Sequence, residues 1–132
     1  MSTFKDLEEA RKFFKNDRFA TENGMVIDEI GEDYAKCSMT ILDGHRNAAG
    51  GVMGGVIYPL ADFAFAAASN NMHKVTVGQT GNINYLSGSR GKKLFAYSKC
   101  VKNGKTTCVH EVTVTDDLGK AIALFIGTGF KL

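Results

Sequence analysis

Apolar residues recur at helical spacing at the start of the chain, where Phe4, Leu7, Ala10, Phe13 and Phe14 predict an amphipathic helix from Thr3 to about Lys15. Ser2 or Thr3 stands where a side chain would cap the free amides of its first turn. The period then falls to two. Gly24–Ile30 and Asp33–Leu42 read as strands; in the second, Ala35, Cys37, Met39 and Ile41 alternate with Tyr34, Lys36, Ser38 and Thr40. Gly31-Glu32 between them fits a tight turn, so the two should pair as a hairpin. A flexible polar loop, His45 to Gly55, then feeds a long apolar segment that predicts a helix from about Gly54 to Asn70. Strand-like segments follow at roughly 74–86, 92–102, 106–116 and 121–130. Their joins are Ser87-Gly88-Ser89-Arg90-Gly91, Asn103-Gly104 and Asp117-Leu118-Gly119, each with the Gly or Asn that turns require.

Short helix, hairpin, long helix and four successive strands argue for an α+β fold rather than an alternating parallel sheet. The long helix carries Val56, Ile57, Leu60, Ala61, Phe63, Ala64, Phe65, Ala66, Ala67 and Ala68, which point in nearly every direction. A helix apolar all round must be enclosed, so the sheet should curl around it, which is the hot-dog architecture. Asp62 is that helix's single carboxylate, and no Lys or Arg lies within a helical turn of it. An ionised Asp buried without a partner is costly, which makes Asp62 a candidate functional residue.

At 132 residues the chain is expected to form one domain, residues 1–132. The formal charge of +2 is mild and the basic residues are scattered, which argues against a nucleic-acid partner. No window approaches the ~18 apolar residues of a membrane span, and the charged N-terminus is unlike a signal peptide, so no membrane partner and a cytoplasmic location are expected. Three cysteines without CxxC spacing, Cys37, Cys100 and Cys108, read as reduced core residues. With three histidines, no metal set is expected.

His45-x-Asn47-x-x-Gly50-x-x-Met53-Gly54-Gly55, followed by Leu60-Ala61-Asp62, resembles the signature of the phenylacetate-degradation-type acyl-CoA thioesterases. These are hot-dog proteins whose usual form has a second His where this chain has Met53. Asn82-Ile83-Asn84-Tyr85-Leu86, Lys102-Asn103-Gly104-Lys105 and Gly119 to Gly129 resemble later segments of the same family, so the likeness spans nearly the whole chain. The resemblance implies hydrolysis of a small or medium acyl-CoA, aromatic groups included, to free acid and CoA, with no cofactor beyond the CoA of the substrate.

That chemistry needs a group to polarise the carbonyl and a group to activate or replace water. Backbone amides at a helix start supply the first, and Gly54 and Gly55 stand there. Asp62 is the candidate nucleophile or general base. It lies eight residues beyond Gly54, which at ~1.5 Å per residue is ~12 Å along one helix axis. One subunit therefore hardly supplies both groups to one thioester. Two antiparallel helices in a two-fold pair would, so a homodimer with composite sites is expected, and a tetramer by the resemblance. Asn47 is expected to assist by hydrogen bonding, and His45 to be structural or a rim contact. Met53 loses any hydrogen bond that a His would make and adds apolar contact for an acyl group, as Tyr58, Phe63 and Phe65 also would.

Where the family often places a Ser or Thr in the strand after the helix, this chain has Gly78. Thr76 and Thr80 share a face of a regular strand, and Thr80 is the preferred substitute. Arg90, Lys92, Lys93, Lys102 and Lys105, around two turns, are candidate rim contacts for the phosphates of CoA. His73 and His110 are expected to be structural. Two rivals stand beside hydrolysis: a hot-dog hydratase or dehydratase, which needs an acid–base His and has only His45 nearby, and a non-catalytic acyl-CoA-binding protein.

Overall fold

A computed structural model describes residues 2–132. A six-stranded antiparallel sheet in the order β1-β2-β4-β5-β6-β3 curves over one long helix. The strands are β1 (Val26–Ile30), β2 (Tyr34–Thr40), β3 (Thr76–Tyr85), β4 (Lys93–Asn103), β5 (Thr107–Asp116) and β6 (Ala121–Lys131). The helices are α1 (Leu7–Phe14), α2 (Arg18–Glu22) and α3 (Gly54–Met72). This is the expected hot-dog fold, with the sheet left open rather than closed into a barrel.

The start of the chain departs from expectation. Asp6, not Ser2 or Thr3, caps α1: its extended backbone lets the side chain accept from the Glu9 amide at 2.9 Å. Thr3 and Phe4 instead donate their amides to Asn71, to its carbonyl at 2.7 Å and its Oδ1 at 3.0 Å, which ties the N-terminus to the end of α3. The short helix α2 was not expected. Asp17 caps it by accepting from the Ala20 amide at 3.1 Å, and Ala20 packs inward.

Helix α3 is not enclosed on every side. Ile57, Leu60, Ala61, Phe63, Ala64, Phe65, Ala67 and Ala68 are buried against the sheet and the N-terminal helices. Gly55, Tyr58, Pro59, Asp62 and Ala66 form a stripe at spacings of three, four and seven that the sheet leaves exposed or half-buried. Tyr58 and Ala66, one turn to either side of Asp62, still pack partly against the core, while Asp62 itself is exposed and so emerges beside the core rather than within it. Strand β3, at one edge of the sheet, is exposed along most of its length. Among the described residues, no helix is long and apolar enough to cross a membrane.

Candidate active site

The loop before α3 is closed by its own bonds rather than loose. Asn47 Oδ1 accepts from the amides of Ala49 and Gly51 at 3.0 and 3.1 Å, and the Asn47 amide donates to the Gly51 carbonyl at 2.8 Å. Arg46 donates to the carbonyls of Gly50 and Gly91, which staples the loop to the segment before β4. Asn47 is therefore first a loop-builder, and its Nδ2 has no hydrogen-bond partner among the described residues.

His45 is buried and its Nδ1 accepts from the Leu42 amide at 2.9 Å, while its carbonyl accepts from the Met53 amide at 2.9 Å. The ring closes a turn, the structural one of the two roles expected for it.

Met53 ends the loop as the residue before α3, with more than half of its surface exposed. The amides of Gly54 and Gly55 then open the helix without a partner among the described residues, whereas those of Val56 and Ile57 already donate to the Met53 carbonyl. Tyr85, from the end of β3, donates its hydroxyl to the Gly54 carbonyl at 3.2 Å, and a Cβ on Gly54 would stand 3.0 Å from its ring. Glycine lets the β3 aromatic press against the helix start and hold it.

Two turns further on, Asp62 borders two hollows. One, of about 300 Å³, runs along β3 and is lined by Tyr58, Asp62, Phe65, Gly78, Gln79 and Thr80, among others. The other, of about 320 Å³, lies toward α2 and includes Asp17, Phe19, Tyr58, Pro59, Asp62 and Phe63. Desolvation raises the Asp62 carboxyl above its ordinary range, and the Asp17 carboxylate across the α2 hollow adds to the rise. No Lys or Arg forms an ion pair with Asp62 among the described residues.

Thr76 and Thr80 do not share a face. The β3–β6 register slips between Gly78 and Thr80, so Gln79 is an extra residue in the strand. Thr76 is buried on the helix side, where its hydroxyl donates to the His73 carbonyl. Thr80 pairs with Thr128 and faces away from α3, while Gly78 and Gly81 face it. Period-two counting fails here because a bulge shifts the phase.

The basic rim divides in the same way. Arg90 and Lys105 lie at opposite ends of β4, whose ten residue steps span roughly 33 Å. One end adjoins the loop before α3 through Arg46 and Gly91; the other adjoins Lys131, which donates to the Gly104 carbonyl. Within one chain these residues form no single phosphate patch. Tyr58, expected as an apolar contact for the acyl group, stands one helical turn from Asp62, whereas Tyr85, Gly81 and Asp17 were not expected as site-builders. Among the described residues, no three His, Cys, Asp or Glu side chains come together so as to hold a metal ion.

An antiparallel sheet over one central helix, with free glycine amides at the helix start and a carboxylate two turns on between two hollows, defines a hot-dog protein with a site suited to acyl transfer. The family model described as Thioesterase superfamily matches residues 49–123, and the chain belongs to that family of thioester hydrolases, in its PaaI-like branch. It is 30% identical over 130 residues to the acyl-coenzyme A thioesterase PaaI of Escherichia coli strain K12, covering 95% of this chain and 90% of the relative. It is 37% identical over 120 residues to an Archaeoglobus fulgidus protein described only provisionally as an esterase, covering 90% and 78%. The solved structure of the E. coli PaaI protein superposes with a TM-score of 0.89 at 28% identity, covering 93% of this chain and 90% of that one.

Proposed function

We propose that this thioester hydrolase acts on acyl-CoA, releasing a small or medium free acid and CoA from composite sites in a two-fold dimer. The observation that carries the reading is the exposed stripe of α3. It holds the free Gly55 amide at one end and the Asp62 carboxylate seven residues on, with the Gly54 amide beside it. In a two-fold pair of antiparallel helices the two stripes meet, so each protomer's amides face the other's carboxylate.

Chemically, the Gly54 and Gly55 amides and the helix dipole stabilise negative charge growing on the thioester oxygen. Asp62 either takes a proton from the water that attacks the carbonyl carbon and returns it to the departing sulfur, or attacks the carbon itself to form a mixed anhydride that water then hydrolyses to the free acid; on both routes the C–S bond breaks and CoA leaves as thiol, with its proton drawn from that water. A raised carboxyl pKa brings a general base closer to neutral working pH. Asn47 contributes its free Nδ2 as a donor near the helix start. Met53 gives apolar contact beside the Gly55 amide but no hydrogen bond. The acyl-coenzyme A substrate of the E. coli relative supports the choice of thioester. No cofactor enters this scheme, and three free cysteines suit a reducing cytoplasm.

A thiol-release assay over straight-chain and aromatic acyl-CoAs tests the proposal. The natural chain should turn over at least one of them, and Asp62→Ala should lose on the order of a hundredfold or more. Undiminished hydrolysis by Asp62→Ala would overturn the role of Asp62. Met53→His reports whether the residue before α3 limits the rate.

A further inference from the structure

Beside the hollow on the α2 side of Asp62 lies a second, inner in the sense that Asp62 is not in its lining; it has about 210 Å³ between α1, α2 and β1, with Phe14, Val26 and Ile27 in its walls and Arg11 and Lys15 at its margin. Met25 and Phe63 line both hollows and so form the partition. The two differ in how firmly they stand. Phe63 is fixed on α3 and packs edge-on against Phe14, with ring centres 5.7 Å apart. Met25 lies between α2 and β1, almost fully buried, on an unbranched side chain with three rotatable bonds.

Direction follows from the two sides of Asp62. The β3 hollow presents Gln79, beside Tyr58 and Asp62, in a strand whose edge is unpaired, a polar wall suited to the amide-bearing arm of CoA. The α2 hollow presents Phe19, Ala20, Met25, Pro59, Phe63 and Ala66 as a wall suited to hydrocarbon, with Asp17 at the start of α2 beside them. An acyl chain leaving the thioester toward α2 runs directly at Met25.

We propose that Met25 sets the length of the acyl chain this enzyme accepts, by closing the outer hollow against the inner one. The inference rests on the acyl-CoA reading above. Chains that end in the outer hollow bind without disturbing Met25; a longer straight chain must displace it to reach the apolar space behind. Thr21 lines the inner hollow from an exposed position on α2, which provides a way to refill it.

The test is kcat/KM for straight-chain esters from butanoyl- to tetradecanoyl-CoA. Met25→Ala should raise the ratio of long-chain to short-chain values by about tenfold or more, since each methylene newly accommodated in an apolar pocket is worth roughly that factor. Adding Thr21→Trp should return the ratio to that of the natural chain. If Met25→Ala shows no folded far-UV circular dichroism, Met25→Val carries the same comparison. An unchanged ratio in a folded Met25 variant, or a shift that survives Thr21→Trp, overturns the role of Met25 while leaving the thioesterase reading intact. No thiol release by the natural chain from any ester, aromatic ones included, overturns the acyl-CoA reading itself, and the Met25 inference falls with it.

Discussion

The hydroxyl of Tyr58 fills the space that a Cβ on Gly81 would occupy. Strand and helix therefore meet there at a distance only glycine permits. Tyr58 packs edge-on against Phe125, with ring centres 5.3 Å apart, and it precedes Asp62 by one helical turn. The β3 edge thus sets the position of the ring beside the carboxylate.

Gly81→Ala should push Tyr58 off Gly81 and disturb the site beside it. We expect a loss of about 1–3 kcal/mol in stability, as for other overpacked contacts, and a fall in thiol release larger than the change in folded fraction explains. Gly78→Ala is the matched control, because its Cβ would meet only the Phe65 ring at an ordinary 3.8 Å. Thermal denaturation and kcat on both variants check the contrast; equal effects would refute the Tyr58 contact as the cause.

Asp62 should leave two signatures in pH. Its carboxyl sits above the ordinary range through desolvation first and Asp17 second, so the acid limb of kcat/KM should fall above that of a free carboxylate. Asp17→Asn keeps a side chain able to cap α2 and removes the charge, and should move that limb to lower pH. For stability the sign is the reverse of an ion-paired carboxylate. As pH rises from about 4, the unfolded chain releases this proton before the native chain does, so native stability falls until Asp62 ionises in both states. Asp62→Asn should therefore be more stable than the natural chain at neutral pH and indistinguishable from it at pH ~3. Urea midpoints across that range decide it.

Much of this arrangement was legible in the chain, for reasons that also explain what was not. The hairpin, α3 and the four later strands followed from apolar period and turn residues, because burial sets both. Gly54 and Asp62 were singled out by the resemblance of the Met53-Gly54-Gly55 and Leu60-Ala61-Asp62 segments, and the structure places both on one helix. Thr80 failed since a single inserted residue, Gln79, inverts every later side chain of β3 and leaves no mark in the period of so exposed a strand. Arg90 and Lys105 failed since turns near in sequence lie at opposite ends of the strand that joins them. Helix α2 is too short for periodicity to register, so Asp17 and the Met25 partition came only with the structure.

His110 should make the fold acid-sensitive. It is fully buried on β5, edge-on to Phe65 at 5.4 Å, and neither ring nitrogen nor the buried Ser98 hydroxyl has a partner among the described residues. Burial pushes its pKa down to about 4 against the opposing pull of Asp33. Between pH ~6.5 and ~4 the unfolded chain takes up a proton that the native chain does not, so stability falls as pH falls, by up to roughly 3 kcal/mol. His110→Phe keeps a ring against Phe65 and removes the titration. Its denaturation midpoints should lose this part of the acid slope, and an unchanged slope would place the sensitivity elsewhere.

The proposed composite site predicts an outcome that no single-chain site can meet. In the proposed dimer, Asp62→Ala alone lacks the carboxylate in both sites. Gly54→Val alone spoils the amide end in both, since any Cβ there stands 3.0 Å from the Tyr85 ring. When the two inactive proteins are mixed one to one, unfolded and refolded together, half the dimers should be mixed. Each mixed dimer carries one site with both defects and one with neither. Half of the dimers with half of their sites intact gives about a quarter of the natural activity. If helix α3 of one protomer supplied both groups to the same thioester, every site would keep a defect and co-refolding would restore nothing.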